Sequence, residues 1–252
     1  MIISVINQKG GVGKTTTAIS LLSGLVARGY KSLGIDLDAQ GNFRYTERAE
    51  DGLTTYDLLT GQASASECIQ ERPTGDIIPG SEELTVLAST MPLNALQDAL
   101  QSIKDRYDYI VIDTPPGLSR LTINALATSD GVIIPGEADI YSLQGITELA
   151  ETINVTREGL NPQLKILGIL LTRYNARSIY SRQLTELAEE QAARLGTIVF
   201  KTRIREAIAV KEANISQTDI FSYAPKQKVT ADYRAFVEEV IALTEEPKGR
   251  QK

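Results

Sequence analysis

The sequence predicts an α/β fold, with a mostly parallel sheet and helices on both of its faces. Short runs rich in β-branched residues recur along the chain, and longer segments with helical spacing of apolar residues separate them. Several of the short runs are nearly continuous in apolar residues, as in strands that are buried on both faces. The predicted strands are Ile2 to Asn7, Ser32 to Asp38, Tyr109 to Asp113, Gly131 to Pro135, Lys165 to Thr172 and Thr197 to Lys201.

Helices are predicted between these strands. Apolar residues from Ala18 to Val26 share one face, and Gly29 provides a stop signal for that helix. Similar spacing predicts helices over Ile140 to Thr156 and over Tyr180 to Leu195. The pattern from the first strand onwards is therefore strand, helix, strand, as a parallel sheet requires.

A length of 252 residues is compatible with one domain. Turn-forming residues predominate from Phe43 to Leu87, where only a short helix around Tyr56 to Leu59 is predicted. No repeat or low-complexity segment divides the chain. We expect a single domain over 1–244 and a disordered tail over 245–252, where proline and glycine stand among charges.

The composition excludes several classes of function. A formal charge of -6 and an isoelectric point near 5.0 exclude a surface that is basic throughout, so any DNA site has to be a local patch. The absence of histidine excludes Ser-His-Asp and Cys-His catalysis, and the single Cys68 excludes an internal disulfide. The apolar run from Met1 to Ile6 is too short for a signal sequence, which predicts a cytoplasmic protein.

A glycine-rich segment joins the first predicted strand to the first predicted helix, which is the context of a phosphate-binding loop. Glycines let the backbone turn its N–H groups towards phosphate oxygens, and the helix N-terminus adds its positive end. Lys14 is expected to reach the β- and γ-phosphates of ATP, and the hydroxyl of Thr15 to bind Mg²⁺. The predicted nucleotide-binding residues of this loop are Lys9, Gly10, Gly11, Val12, Gly13, Lys14, Thr15 and Thr16.

The loop departs from the strict G-x-x-x-x-G-K-[ST] pattern, because Gln8 replaces its first glycine and is followed by a second lysine. This form resembles the deviant Walker A loop of the ParA and MinD superfamily. The sequence DLDAQGN at 36–42 resembles the family motif D-x-D-P-Q-G-N, with Ala39 in place of proline, and YIVIDTPPG at 109–117 resembles its Walker B strand. Over nearly its whole length the chain resembles ParA-type, Soj-like partition ATPases, which implies a three-layer P-loop NTPase fold.

The resemblance implies roles for individual residues. Lys9 resembles the signature lysine that contacts nucleotide across a dimer interface, and with Lys14 and Asp38 it forms the expected catalytic set. Asp38 is expected to position the attacking water, and Asp113 to hold Mg²⁺ through a water. Asp36 and Asp38 alternate onto one strand face, so Asp36 is also expected near the phosphates.

Two parts of this assignment stay open on the residues alone. Strand-end aspartates also cap turns, and that alternative is stronger for Asp36 than for Asp38. The adenine contacts are expected around Thr172, Arg173 and the turn near Ile204-Arg205, by resemblance only.

The resemblance also implies nonspecific DNA binding, which requires clustered contacts to phosphates. Any one basic residue is as readily a solvated charge, so the cluster carries more weight than its members. The predicted DNA-binding residues are Arg177, Lys201, Arg203, Arg205 and Lys211, with Arg182, Lys226 and Lys228 nearby.

Two other functions share the phosphate loop. A MinD-like membrane ATPase would carry a basic amphipathic helix at its C-terminus, whereas the last predicted helix, Tyr233 to Leu243, contains Glu238 and Glu239. A biosynthetic ligase of the same lineage would need an added polar pocket for a small carboxylate, and no such constellation is recognised. The sequence favours a partition ATPase without a membrane partner.

The expected activity is slow hydrolysis of ATP to ADP with Mg²⁺. The resemblance implies that ATP closes a homodimer, that the dimer binds nonspecific double-stranded DNA on the nucleoid, and that a ParB-like centromere-binding or adaptor protein stimulates hydrolysis. Such a cycle would segregate or position DNA, whether chromosome, plasmid or mobile element.

Overall fold

The computed structural model describes residues 1–137 and 139–245, apart from the side chains of 140–144. Its strands are β1 (Ile2–Val5), β2 (Ser32–Asp36), β3 (Asp76–Ile78), β4 (Tyr109–Asp113), β5 (Gly131–Glu137) and β6 (Lys165–Thr172). They form one sheet in the order β3-β2-β4-β1-β5-β6, and every neighbouring pair is parallel. Because the strands are parallel, their carboxyl ends meet at one edge of the sheet, where ligands of α/β proteins bind.

Helices cover both faces of the sheet, which confirms the three-layer P-loop NTPase architecture. The described helices are α1 (Lys14–Ala27), α2 (Asn42–Thr46), α3 (Thr55–Thr60), α4 (Ala65–Cys68), α5 (Leu84–Leu87), α6 (Ala95–Leu100), α7 (Arg120–Thr128), α8 (Ile140–Gly159), α9 (Ile179–Arg194), α10 (Ile208–Ile215), α11 (Ile220–Tyr223) and α12 (Lys228–Thr244). One turn of 3₁₀ helix spans Lys104–Arg106.

The core is divided by the sheet into two apolar clusters. Alternate residues of β4 enter opposite clusters: Ile110 and Ile112 pack on the side of α7 and α8, whereas Tyr109 and Val111 pack on the side of α1 and α12. All five residues of β4 are buried. Burial on both faces explains why the central strands are almost continuously apolar in the sequence.

The predicted strand Thr197 to Lys201 is wrong. Only Val199 forms an isolated bridge, with Ile169 of β6. The segment stays beside β6, since the N–H groups of Phe200 and Ile204 donate to the backbone oxygens of Ile169 and Leu171. Between these contacts the N–H groups of Lys201 and Thr202 donate to the Glu239 carboxylate of α12 at 2.8 and 2.7 Å, so the pairing is interrupted and no continuous strand forms.

Strand β3 is the one described strand that the sequence did not predict. Its three residues lie between turns at Gly75 and at Pro79-Gly80, so the run is too short to show a two-residue period. It pairs with β2 and forms the edge of the sheet. Of the predicted tail, Glu245 is described, and 246–252 lie outside the described residues.

The close packing of α2 on β2 depends on the absence of a side chain at Gly34. A Cβ built there would lie 2.6 Å from the ring of Phe43 and 2.8 Å from a methyl group of Leu22. Because both neighbours are buried core residues, we expect Gly34→Ala to lower the free energy of unfolding by about 1–3 kcal/mol. Urea unfolding of the nucleotide-free protein measures the change.

Gly159→Ala is the matched control, since it adds the same methyl group in the last turn of α8 with no described atom within 4 Å. Its stability is expected to stay unchanged or to rise by up to about 1 kcal/mol. Equal stabilities for the two variants would contradict the packing argument.

Candidate active site

The loop between β1 and α1 turns sharply at two glycines. Gly11 and Gly13 have φ angles of 77° and 88°, in the left-handed region where glycine is favoured. Helix α1 starts at Lys14, and no side chain caps its first turn. The N–H groups at this helix end therefore remain available to an anion, as in other phosphate sites.

A cleft of about 430 Å³ opens at this loop. It brings together most of the predicted loop residues with Asp38 and Arg173, which come from other parts of the chain. Several other lining residues were not anticipated from the sequence, because they belong to no chemical motif. The predicted residues that line the cleft are Gly10, Gly11, Gly13, Lys14, Thr15, Thr16, Asp38 and Arg173, and the residues not anticipated include Tyr45, Thr46, Asn214 and Ile215.

A smaller cavity of about 120 Å³ lies beside the cleft and shares Arg173 with it. Val12 and Thr172 line this cavity, and the hydroxyl of Thr172 donates to the backbone oxygen of Val12 at 2.9 Å. This bond ties the phosphate-binding loop to the end of β6. Lys211, predicted to bind DNA, also lines the smaller cavity.

Lys14 is buried within the phosphate-binding loop. Its side chain is 6 % exposed, and its Nζ donates to the backbone oxygen of Lys9 at 2.9 Å. Burial lowers the pKa of the Lys14 ammonium, while the carboxylates of Asp113 and Asp38 oppose that shift. The ammonium thus lies among carboxylates at the floor of the cleft.

Asp113 ends β4 and is fully buried. Within the described chain, neither of its carboxylate oxygens has a hydrogen-bond partner. Burial raises the pKa of this carboxyl well above its usual range, and repulsion from Asp36 adds to the shift, while the Thr15 hydroxyl and the Lys14 ammonium oppose it. A buried carboxylate without a donor is costly unless a cation compensates it.

The residues around Asp113 fit Mg²⁺. This ion takes oxygen ligands and is usually held by one or two protein groups together with substrate phosphates and waters. Asp113 and the hydroxyl of Thr15 are the groups that would hold it. The described residues contain no cluster of three or more acidic, histidine or cysteine side chains that could bind a metal alone.

Asp36 and Asp38 occupy different positions although they are two residues apart. Asp38 lines the cleft, whereas Asp36 is fully buried and does not line it. The Asp36 carboxylate accepts hydrogen bonds from the N–H groups of Asp38 at 2.9 Å and Arg44 at 3.4 Å. Burial raises the pKa of Asp36 to about 7, and the N–H of Asp38 opposes the shift. Asp36 thus orients the turn that carries Asp38.

Lys9 does not line the cleft of its own chain. Its side chain is 41 % exposed, and its Nζ forms an ion pair with Asp139 at 3.1 Å. Asp139 follows β5 and was not recognised in the sequence, since its only signal is its place after a predicted strand. The two lysines of the loop therefore differ in environment: Lys14 is inside the cleft and Lys9 is at its outer surface.

The predicted DNA-binding residues fall into two groups. Arg205 is engaged by Asp232 through two hydrogen bonds of 2.6 and 2.7 Å. Arg203 lies 5.7 Å above the ring of Tyr174 and contacts Glu189 at 3.3 Å. Arg177 and Lys201 are exposed, and their side chains have no partner among the described residues. Nearby carboxylates thus neutralise part of the basic segment.

The chain is similar to known proteins over most of its length. A family model described as an AAA domain matches residues 1–166. The chromosome-partitioning ATPase Soj of Thermus thermophilus is 38 % identical over 249 residues, which cover 97 % of this chain and 96 % of that protein.

Two solved structures share the fold. Apo McdA from Cyanothece has a TM-score of 0.84 at 22 % identity, covering 95 % of this chain and 98 % of that one. Cobyrinic acid a,c-diamide synthase from Mycobacterium smegmatis, solved with ADP and magnesium, has a TM-score of 0.81 at 27 % identity, covering 95 % and 93 %. On its motifs, its fold and its full-length similarity to Soj, the chain belongs to the ParA/Soj-type partition ATPases of the P-loop NTPases.

Proposed function

We propose that this chain is a Mg²⁺-dependent ATPase that dimerises with ATP, binds DNA without sequence preference, and is reset by hydrolysis. The observation that carries the proposal is the difference between the two loop lysines. Lys14 serves the cleft of its own chain, whereas Lys9 lies at the rim, where a second copy of the chain could present its nucleotide. Lys9 has to leave Asp139 to reach that nucleotide.

The chemistry follows from the residues around the cleft. Lys14 pairs with the β- and γ-phosphates, and the N–H groups of the loop and of α1 donate to their oxygens. Mg²⁺ at Asp113 and Thr15 would neutralise charge on these phosphates. Asp38, at the wall of the cleft and oriented by Asp36, is the carboxylate placed to orient the attacking water.

Asp38→Asn tests the role of the carboxylate in hydrolysis. We expect kcat to fall by about 100-fold or more, because the amide cannot take a proton from water. ATP affinity is expected to change by less than about twofold, since the phosphates are held by the loop. Steady-state phosphate release and equilibrium ATP binding measure the two quantities. Undiminished hydrolysis would exclude Asp38 from the reaction.

Asp113→Asn tests two effects of the buried carboxylate separately: its effect on the stability of the free protein and its binding of Mg²⁺. Without nucleotide we expect no loss of stability, because burial disfavours the wild-type carboxylate and its oxygens have no hydrogen-bond partner of good geometry among the described residues. With Mg²⁺ and ATP at 100 times Kd, wild type should gain about 2.7 kcal/mol, whereas the variant should lose the Mg²⁺-dependent part of this gain. Thermal unfolding with and without EDTA measures both effects. A full Mg²⁺-dependent gain in the variant would contradict the metal assignment.

The DNA surface is proposed to centre on basic side chains that are exposed and have no partner in the described part of the chain, such as Arg177 and Lys201. Arg203 and Arg205 would have to give up their bonds to Glu189 and Asp232 before binding phosphates. A net charge of -6 makes such a local patch necessary, because the rest of the surface repels DNA. Contacts of this kind are sensitive to salt and indifferent to sequence.

DNA binding is tested with an arbitrary duplex in ATP, in ADP and without nucleotide, over a range of salt. We expect binding only with ATP, and its loss in Lys9→Ala, which removes the contact across the dimer. Arg177→Ala should reduce the slope of log K against log salt by about 1, because the variant neutralises one DNA phosphate fewer.

Arg106→Ala is the control for this experiment, because Arg106 donates to Ser66 and lies outside the proposed patch. If the wild-type protein hydrolyses ATP but ignores DNA in every nucleotide state, the partition function is wrong, and liposomes and small carboxylate substrates become the next ligands to test.

The positioning of DNA also requires a partner that triggers hydrolysis, for which a ParB-like centromere-binding or adaptor protein is proposed, with the ATPase on the nucleoid. A MinD-like membrane role is the second candidate. Against it, the apolar residues of α12, including Phe236, Val237 and Val240, are buried in the core, so this helix offers lipid its charged side. None of the described helices is long and apolar enough to span a bilayer.

A further inference from the structure

Arg48 occupies an unusual backbone conformation close to the cleft. It follows α2, and its φ of 51° lies in the left-handed region, which is uncommon for a residue with a side chain. Gln217, far along the chain, has a φ of 50°. Such conformations persist where surrounding contacts hold them. Here the two left-handed residues contact one another.

The guanidinium of Arg48 joins two segments that are separated by more than 160 residues. Its Nε donates to the backbone oxygen of Gln217 at 2.9 Å, and its Nη2 donates to the backbone oxygen of Ser216 at 2.9 Å. Ser216 is the C-cap of α10, so these carbonyls lie at the negative end of a helix. Charge-assisted bonds of this type are stronger than bonds between neutral groups.

The two joined segments form facing walls of the nucleotide cleft. Tyr45 and Thr46 of α2 line one wall, and Asn214 and Ile215 of α10 line the other. Neither wall includes a residue of the phosphate-binding loop. Beside the bridge lies a separate cavity of about 360 Å³, and Thr46, Glu47 and Gln217 are among the residues that line it. Hydrogen bonds from Arg48 therefore join the walls next to an open space.

We propose that Arg48 is a positioning residue, which fixes the distance between the α2 and α10 walls and thereby sets the affinity of the site for the nucleoside part of ATP and ADP. The inference rests on the proposed binding of ATP by this chain. Arg48 does not line the cleft, so it acts through Tyr45, Asn214 and Ile215. The affinity for the phosphates, which bind at the loop, should not depend on Arg48.

The choice of substitution decides what is measured. Alanine at position 48 would remove the guanidinium and also leave a side chain in a left-handed backbone. Glycine removes the guanidinium while it favours this conformation, so Arg48→Gly isolates the bridge. Arg48→Lys keeps the positive charge but not the planar fork that binds two carbonyls at once.

Arg44→Ala is the matched control. Arg44 lies on the same helix, its guanidinium contacts only Asp51 among the described residues, and its backbone contact with Asp36 is unaffected by the substitution. Loss of a surface ion pair of this kind has little effect.

The test is equilibrium binding of MgATP, MgADP and magnesium tripolyphosphate, which lacks a nucleoside, to wild type and the three variants. We expect Arg48→Gly to bind both nucleotides about tenfold more weakly. Tripolyphosphate binding should change by less than about twofold, Arg48→Lys should be intermediate, and Arg44→Ala should match wild type. In steady state, KM for ATP should rise while kcat is retained.

Two outcomes would overturn the inference: wild-type nucleotide affinity in Arg48→Gly, or an equal loss of nucleotide and tripolyphosphate affinity. Hydrogen exchange of residues 208–220 provides a readout in the free protein, and it should accelerate in Arg48→Gly. Unchanged exchange there would exclude a positioning role. Failure of wild type itself to bind ATP would instead reject the proposed function.

Discussion

The burial of one lysine and three aspartates at the carboxyl end of the sheet is the constraint on which the site depends. Lys14, Asp36, Asp38 and Asp113 are each no more than 6 % exposed. Burial raises the pKa of Asp113 and of Asp36, and repulsion between the carboxylates, which one ammonium cannot compensate, adds to the shifts. A cation at Asp113 would remove part of this cost, and it would also compensate the charge of phosphates bound at Lys14, so the buried carboxylates favour binding of a metal together with a polyphosphate.

The same constraint separates the two aspartates of the DLDAQGN motif. The expectation that both point to the phosphates required the strand to continue to Asp38, but β2 ends at Asp36. The side chain of Asp36 then turns to the backbone N–H groups of the following turn, and Asp38 is left at the cleft wall. By accepting these hydrogen bonds, the Asp36 carboxylate fixes the turn and therefore the position of Asp38. Hydrolysis requires such a fixed position for the group that orients the water.

The sequence predicted the parts of the molecule that depend on local pattern. The phosphate-binding loop, its helix and the strand that ends at Asp113 each have a motif or a period of their own. It did not predict β3, which is three residues long, or the interrupted pairing at 197–201, where Glu239 of α12 accepts two backbone hydrogen bonds. The pairing of Arg205 with Asp232 was hidden for the same reason, because no local pattern reports a partner 27 residues away.

The distribution of charge along the C-terminal third links the proposed DNA surface to the cleft. The basic segment that contains Lys201 runs directly into α10, which carries Lys211 and ends at the cleft wall with Asn214 and Ile215. Proximity alone does not couple two sites, since coupling requires an element with two arrangements that each ligand favours differently. Helix α10 is suited to be that element, because Ala213 packs in the core while hydrogen bonds from Arg48 and Tyr45 join the C-terminal end of the helix to α2, beside an open cavity. Close-packed cores resist small displacements, whereas the hydrogen bonds at the end of α10 can hold it in one arrangement and re-form in a second when nucleotide fills the cleft.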